Sequence, residues 1–263
     1  LSGQLSLDLE QSTIRTHGNL LLKGNSSNTL MQLFGFQTNF LDRSYELALD
    51  VDENNENVYL RILRAQLGES DVSGEIVIKP GDVFTYNVNL TSERIHLPVF
   101  VPSLITATDD KKDPVKDKAR VIPLTELSWD WLSRINLNFS HEAKVVDLQP
   151  GSHSHTQLDF SIGDGRLSSQ NISWRSNLSD GLAVVLIEQD ALDPTIADIK
   201  LEVSSERIPM LWLFTGSPIS VDGERLQFNA KVESRGSDTL SILKNLDGLI
   251  AFRGGGGVIN SGK

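Results

Sequence analysis

The chain has 263 residues, 39% of them hydrophobic, with 24 basic and 35 acidic side chains. This length and apolar share suffice for one large domain or two small ones and exclude disorder for most of the chain. The absence of cysteine excludes disulfide scaffolds, thiolate zinc sites and cysteine nucleophiles. The net charge of −11 argues against a phosphate-binding surface, and therefore against a nucleic-acid partner.

Apolar runs in the chain are short. The longest, Leu182–Ile187 and Met210–Phe214, are typical of buried strands or helix faces, and neither approaches the roughly 18 residues that a membrane-spanning helix needs. The sequence begins at Leu1, without methionine and without a signal peptide. We therefore expect it to be a piece of a longer protein or a processed product.

Alternation of apolar and polar residues is the main pattern along the chain. Successive side chains of a strand point to opposite faces, so each alternating run predicts a strand with one apolar and one polar face. Together these runs predict an all-β protein whose mainly antiparallel sheet has one solvated side. Turn sequences begin at Gly24, Pro80, Gly163, Ser179 and Val221. The predicted strands are Leu5–Leu9, Leu47–Val51, Phe84–Leu90, Ile135–Phe139, Leu158–Ile162, Ile199–Val203 and Leu226–Val232.

Helical patterns are few and short. Asn28–Phe36 follows a serine and asparagine cap, Leu124–Leu132 has leucines and Trp131 in phase, and Asp238–Asn245 follows Ser237 and ends before Gly248. We predict two or three short helices that cover corners of the sheet and form no separate layer.

A charged segment, Thr106–Arg120, divides the sequence into two parts. Its composition predicts an exposed mobile loop at 106–120, between a first β unit at 1–105 and a second at 121–263. A Ser-Glu-Arg-Ile string ends an alternating run in each part, at Ser92 and at Ser205. We interpret this as an internal repeat that lets one sheet grow along one axis.

Patterns that carry catalysis or bind metal are weak. Ser241 and Lys244 have Ser-x-x-Lys spacing but lack the accompanying motifs of acyl-transfer enzymes. His153 and His155 would share a strand face as metal ligands, although a polar turn after Pro150 explains them more simply. We expect no catalytic residues, no metal site and no cofactor.

The segment Arg225–Ile259 resembles the C-terminal signature of the AsmA-like family. It runs from an alternating strand through Arg-Gly, a short helix and an Asn-Leu-Asp-Gly turn into a strand and a glycine run. Leu60–Ile78 resembles that family's repeated strand pair, and Gly163–Leu167 resembles its Asp-Gly-Arg-Leu turn. The stretch Arg120–Leu137 is similar to the family's lead into its second half.

The resemblance implies an envelope protein of Gram-negative bacteria, anchored to the inner membrane by a helix that this sequence lacks, and projecting into the periplasm. Such proteins are similar to the chorein-type bridge-like lipid transfer proteins. They form an elongated, curled antiparallel β-sheet groove, described as β-taco-like, that shields phospholipid acyl chains between the inner and outer membranes. The implied function is phospholipid transport in outer membrane biogenesis, with outer-membrane components as further partners and no enzymatic activity.

The apolar alternates of the predicted strands are the expected groove lining. A one-faced sheet must cover its apolar side with another layer or with a ligand, and wetting a long apolar trough would cost tens of kcal/mol. The alternatives are a β-sandwich interaction scaffold of the envelope without lipid cargo, whose core would use the same residues, and a glycan hydrolase. The lining residues are Leu47, Leu49, Phe84, Tyr86, Val88, Ile135, Leu137, Phe139, Leu158, Phe160, Ile199, Leu201, Leu226 and Phe228.

Overall fold

A computed structural model describes residues 2–10, 13–28, 42–54, 56–96, 127–147, 153–176, 179–208, 219–223, 226–254 and 257–261. Contacts divide the chain into two compact units. The first comprises Leu1–Asp117 and Ile135–Thr156, and the second Lys118–Arg134 and Gln157–Lys263. The predicted loop at 106–120 lies outside the described residues, so the predicted domain limits stay a prediction.

The first unit is an open, mixed sheet of seven strands paired in chain order. Every pair is antiparallel except β6 and β7, which run parallel. The strands are β1 Ser2–Glu10, β2 Thr13–Gly24, β3 Tyr45–Glu53, β4 Val58–Leu67, β5 Ser70–Lys79, β6 Thr85–His96 and β7 Asn136–Asp147.

The second unit holds an antiparallel sheet in the order β8, β9, β10, β11, β13, β14, of which β8 begins within the residue range of the first unit, and a separate ribbon of β12 and β15. Asp164 and Gly165 have φ angles of 52° and 74°, which makes the β8–β9 connection a tight hairpin turn. The strands are β8 His153–Gly163, β9 Arg166–Ser176, β10 Asp180–Gln189, β11 Ala197–Ile208, β12 Ile219–Gly223, β13 Leu226–Gly236, β14 Asp247–Arg253 and β15 Gly257–Ser261.

All seven predicted strands are present, and the all-β class is confirmed. The predicted mainly antiparallel pairing is confirmed, and among the described strand pairs only β6 and β7 run parallel. The connection between them is long enough for the chain to return to the end of the sheet where β6 began, which parallel pairing requires. The turn predicted at Val221 is wrong, because residues 221–223 lie in strand β12.

Of the three predicted helices, the described residues confirm one. Helix α1, Thr239–Lys244, confirms the predicted Asp238–Asn245 helix, although Asp238 caps it and not Ser237. The predicted helix Leu124–Leu132 is wrong in its described part, where only the 3-10 helix Asp130–Ser133 forms, because Trp129 supplies no side-chain cap. The predicted helix Asn28–Phe36 lies outside the described residues beyond Asn28.

The two Ser-Glu-Arg strings lie at matching places in the two sheets, where the end of one strand meets the start of its neighbour. We call each of these places a corner. In the first corner, the Asp71 carboxylate at the start of β5 accepts the N–H groups of Glu93 and Arg94 in β6, at 3.0 and 2.7 Å. The Ser70 hydroxyl accepts the N–H of His96 at 2.9 Å. The side chains of Ser70 and Asp71 therefore accept hydrogen bonds from backbone N–H groups at the end of strand β6.

In the second corner, Asp180 at the start of β10 lies opposite Glu206 of β11. The Ser205 hydroxyl donates to the Asp180 carbonyl at 2.8 Å, and Arg207 pairs with the Asp180 carboxylate. Arg207 has φ 61°, at an irregularity in the β11–β13 pairing. Ser-Asp and Ser-Glu-Arg thus meet at adjacent strand ends in both units, which agrees with the proposed repeat.

Candidate functional site

The first unit presents one face that is apolar across six strands. Paired residues of neighbouring strands point to the same side of a sheet. Residues that pair across successive strands therefore form a row on one face. The rows given next span three to five neighbouring strands and contain no charged residue. The rows are Leu22, Leu47, Ala65 and Val72; Leu20, Leu49 and Ile62; Val51, Leu60, Ile76, Val88 and Phe139; and Val58, Ile78, Tyr86 and Leu137.

The opposite face of the same strands is polar. One of its rows runs Asn19, Asp50, Arg61, Glu75, Asn89 and Ser140. In the next row Asn138 donates to the side-chain carbonyl of Asn87 at 2.9 Å, and at another position Lys23 pairs with Glu46 at 3.0 Å. Water solvates this face, so the unit has one wet side and one apolar side.

The second unit has a corresponding apolar face on β9, β10, β11, β13 and β14. The rings of Phe228 and Phe252 lie 5.1 Å apart on neighbouring strands. Trp174 lies across Gly181, where a Cβ would come within 2.1 Å of the indole ring. The rows are Leu167, Ile187 and Ile199; Val185, Leu201 and Val232; Ile172, Ala183, Val203, Ala230 and Ile250; and Trp174, Gly181, Ser205, Phe228 and Phe252.

Helix α1 covers one end of this second face. A Cβ on Gly236 would lie 2.4 Å from the Ser241 hydroxyl oxygen and 2.8 Å from the backbone nitrogen of Ile242, so the helix sits directly on the end of β13. At the same end the indole N–H of Trp129 donates to the Gly236 carbonyl at 3.1 Å, and Leu132 is fully buried. These contacts form a small closed core at the end of the sheet.

Most predicted lining residues are half-buried and not enclosed. Only Leu226 is buried, at 5% exposure, and Phe84 is half-exposed at 50%. Phe84 and Ile135 precede β6 and β7, and the strand register places the others of the first unit on its apolar face. Leu158 and Phe160 alternate along β8. The half-buried residues are Leu47, Leu49, Tyr86, Val88, Ile135, Leu137, Phe139, Leu158, Phe160, Ile199, Leu201 and Phe228.

Within the described ranges, each apolar face belongs to a single large sheet. A sandwich would place a second sheet about 10 Å away and bury these side chains completely. The buried hydrophobic residues of the described chain are instead few and mostly lie near strand ends or under the 3-10 helix: Leu22, Trp129, Leu132, Ala143, Val146, Ile162, Ala197, Leu226 and Ala230. The side chains of both faces are therefore only partly buried among the described residues.

His141 is an ionisable group on the apolar face of the first unit. It lies opposite Leu90 in the β6–β7 pairing, and its Nε2 is 2.9 Å from the hydroxyl oxygen of the buried Ser92. Burial lowers the pKa of His141. The face thus carries a neutral imidazole at neutral pH and no fixed charge at that position.

Sequence reasoning missed a set of apolar residues on the polar side of the second unit. Leu182, Val184 and Leu249 are 55%, 49% and 69% exposed and border a depression of about 340 Å³ beside the ion pair of Lys231 and Glu202. The run Leu182–Ile187 is therefore not a buried strand. Its lack of alternation was the available signal, because an uninterrupted apolar run makes both faces of a strand apolar.

The residues considered for catalysis or metal binding have structural roles where they are described. The Ser241 hydroxyl belongs to the capping box of α1 with Asp238. His155 lies 3.6 Å from Glu142, and no group of three potential metal ligands occurs among the residues placed by the structure. No helix in the described part of the chain is long and apolar enough to cross a bilayer.

Comparison with protein-family models, with curated proteins and with solved structures finds no match to this chain.

Proposed function

We propose that this chain is the periplasmic part of an inner-membrane-anchored AsmA-like protein, and that its apolar sheet faces shield phospholipid acyl chains during transport between the inner and outer membranes. The sequence supports the proposal through the ordered motifs of Leu60–Ile78, Gly163–Leu167 and Arg225–Ile259. The observation that carries it is the apolar face of each unit, whose side chains stay only partly buried within the described residues.

The energetics of these faces favour an apolar ligand. Full burial of a large apolar side chain stabilises a protein by about 1.5–3 kcal/mol, and a half-exposed one forgoes a good part of that. Phe84 and Phe252 remain half-exposed, and Tyr86, Val88 and Phe228 are half-buried. Each methylene of an acyl chain removed from water onto such a surface contributes about 0.8 kcal/mol.

The faces offer little that would select a headgroup. Their rows hold mainly aliphatic and aromatic side chains, and Ser205 and Ser234 donate hydrogen bonds to the Asp180 and Ile242 carbonyls. Hydrocarbon recognition needs no directional contacts, so we expect binding of many diacyl phospholipids with similar affinity. The charged opposite faces keep the protein in water beside its cargo.

Matched substitutions on the two faces of one strand test the proposal. We expect Phe228→Asp to abolish binding of a fluorescent diacyl phospholipid, because it places a carboxylate among the apolar rows. Asn229→Asp changes the neighbouring exposed residue of the opposite face and should bind lipid as the wild type does. Circular dichroism of both variants reports whether the fold persists.

The same comparison is possible in the first unit with Val88→Asp and Asn89→Asp, which lie on opposite faces of β6. Equal lipid binding by the two members of a pair, with the fold intact, would contradict the proposal. Absence of lipid binding by the wild type would favour the protein-interaction scaffold without lipid cargo.

A further inference from the structure

Strand β14, Asp247–Arg253, is an edge strand with an uncommon degree of exposure. Within the described residues it pairs only with β13, and it is the last strand in the order of its sheet. All seven of its residues are exposed. Its outer row of N–H and C=O groups is therefore a template for another strand.

The middle of β14 carries none of the usual protection of an edge. Proteins commonly protect edge strands with charged residues, proline or bulges. Residues Leu249 to Phe252 are all apolar, and Leu249, Ile250 and Phe252 are each more than half exposed. Both faces of β14 expose apolar side chains to water, which is unfavourable in free energy. Pairing with another strand would cover part of this surface.

The two ends of β14 carry opposite charges. Asp247 and Arg253 form no ion pair with any described residue. The residue opposite Asp247 on β13 is Glu233, which is also acidic, and one Asp247 carboxylate oxygen accepts only the N–H of Gly248 at 2.8 Å. The strand therefore presents a negative end and a positive end.

We propose that a second copy of this chain pairs with β14 in antiparallel orientation, across a two-fold axis at Ile250. This register sets Asp247 opposite Arg253 twice, and opposite charges across a strand pair stabilise it. It also sets Phe252 opposite Gly248, where the ring can cover the glycine backbone. A copy of the same strand supplies both charges at the matching positions, so the complementarity favours self-association.

This pairing extends the apolar face across both copies. Paired residues point to the same side of a sheet, so the two Ile250 side chains and the Phe252 rings share the apolar face of each copy. The contact involves a single strand pair and buries less than a standard interface, so we expect a weak dimer. The inference needs no lipid and is independent of the proposed function.

Charge reversal tests the register. Asp247→Arg and Arg253→Asp each place like charges opposite one another twice, so each variant alone should be monomeric in sedimentation equilibrium at about 100 µM, where the wild type dimerises. An equimolar mixture of the two variants should form a heterodimer, because every charge then meets its opposite. Glu69→Arg, in the exposed β4–β5 turn, is the control and should dimerise normally.

A cross-link provides a second measurement that does not depend on charge. The chain has no cysteine, so Ile250→Cys introduces one thiol that would face its own copy within disulfide range. Oxidation should give a covalent dimer, whereas Leu192→Cys, in an exposed loop, should remain a monomer. A monomeric wild type, dimeric single charge variants, or no cross-link at Ile250 would overturn the proposal.

Discussion

Gly236 shows how one missing side chain positions a helix. A Cβ at this residue would approach the backbone nitrogen of Ile242 to 2.8 Å, and no rotamer change relieves a contact with backbone. The close approach lets α1 and Trp129 seal one end of the apolar face of the second unit. The glycine is therefore required by packing and not by an unusual φ angle.

We expect Gly236→Ala to lower the free energy of unfolding by about 1–3 kcal/mol, because the added methyl group forces α1 away from β13. Urea denaturation followed by tryptophan fluorescence measures the change. Gly81→Ala, where the nearest atom would lie 3.3 Å away, is the control with a small expected effect. Equal stability of Gly236→Ala and the wild type would show that α1 does not pack on β13 as described.

His141 makes stability depend on pH in a predictable direction. Burial lowers its pKa in the folded state, so below the ordinary value near 6.5 the unfolded chain takes up the proton first. Stability is therefore fully present above that value. It decreases as the pH falls, and the loss is complete once the pH is below the pKa of the folded state.

We expect the wild type to lose more stability between about pH 7.5 and pH 5 than His141→Gln does. Urea titrations at the two pH values give the difference. An identical dependence in His141→Gln and the wild type would refute the assignment.

The side chain of Asp71 joins the start of strand β5 to the end of strand β6. Its carboxylate accepts two backbone N–H groups that would otherwise lose their protein partner. We expect Asp71→Ala to destabilise the protein by about 1–2 kcal/mol. Asp82→Ala, in the exposed β5–β6 connection, should change stability little, and a comparable loss in both variants would contradict the role of the corner.

The alternating pattern predicted strands well where one face of a strand is apolar and the other polar. Leu47–Val51 lies in β3 and Leu226–Val232 in β13, and burial alternates residue by residue along β13. The parallel pairing of β6 and β7 was not predictable in this way, since alternation is the same in both orientations. The exposure of β14 also escaped prediction, because residues Leu249 to Phe252 resemble a buried strand.

Helices were predicted less well for a physical reason. Asp238 supplies a cap and a matching Ser241, and α1 forms where predicted. Trp129 supplies no cap, and only the single turn Asp130–Ser133 forms before β7 begins. The leucine spacing of Leu124–Leu132 thus predicted an apolar helix face, but spacing alone does not supply the capping hydrogen bonds that start a helix.

For the molecule as a whole, sequence identifies the apolar residues but not what covers them. Tyr86, Val88 and Phe139 would alternate identically in a sandwich core and on an uncovered face. The distinction comes from their partial burial and from the single sheet found in the described part of each unit. Whether a second layer covers these residues depends on long-range packing, about which the alternating pattern carries no information.

The most direct test of the proposed function is the lipid content of the protein as purified from a Gram-negative host. An organic extract is analysed by mass spectrometry beside an extract of a β-sheet protein of similar size. The proposal predicts glycerophospholipid in stoichiometric amount with the wild type and much less with Phe228→Asp. Only traces of lipid in the wild type, equal to those of the control protein, would contradict it.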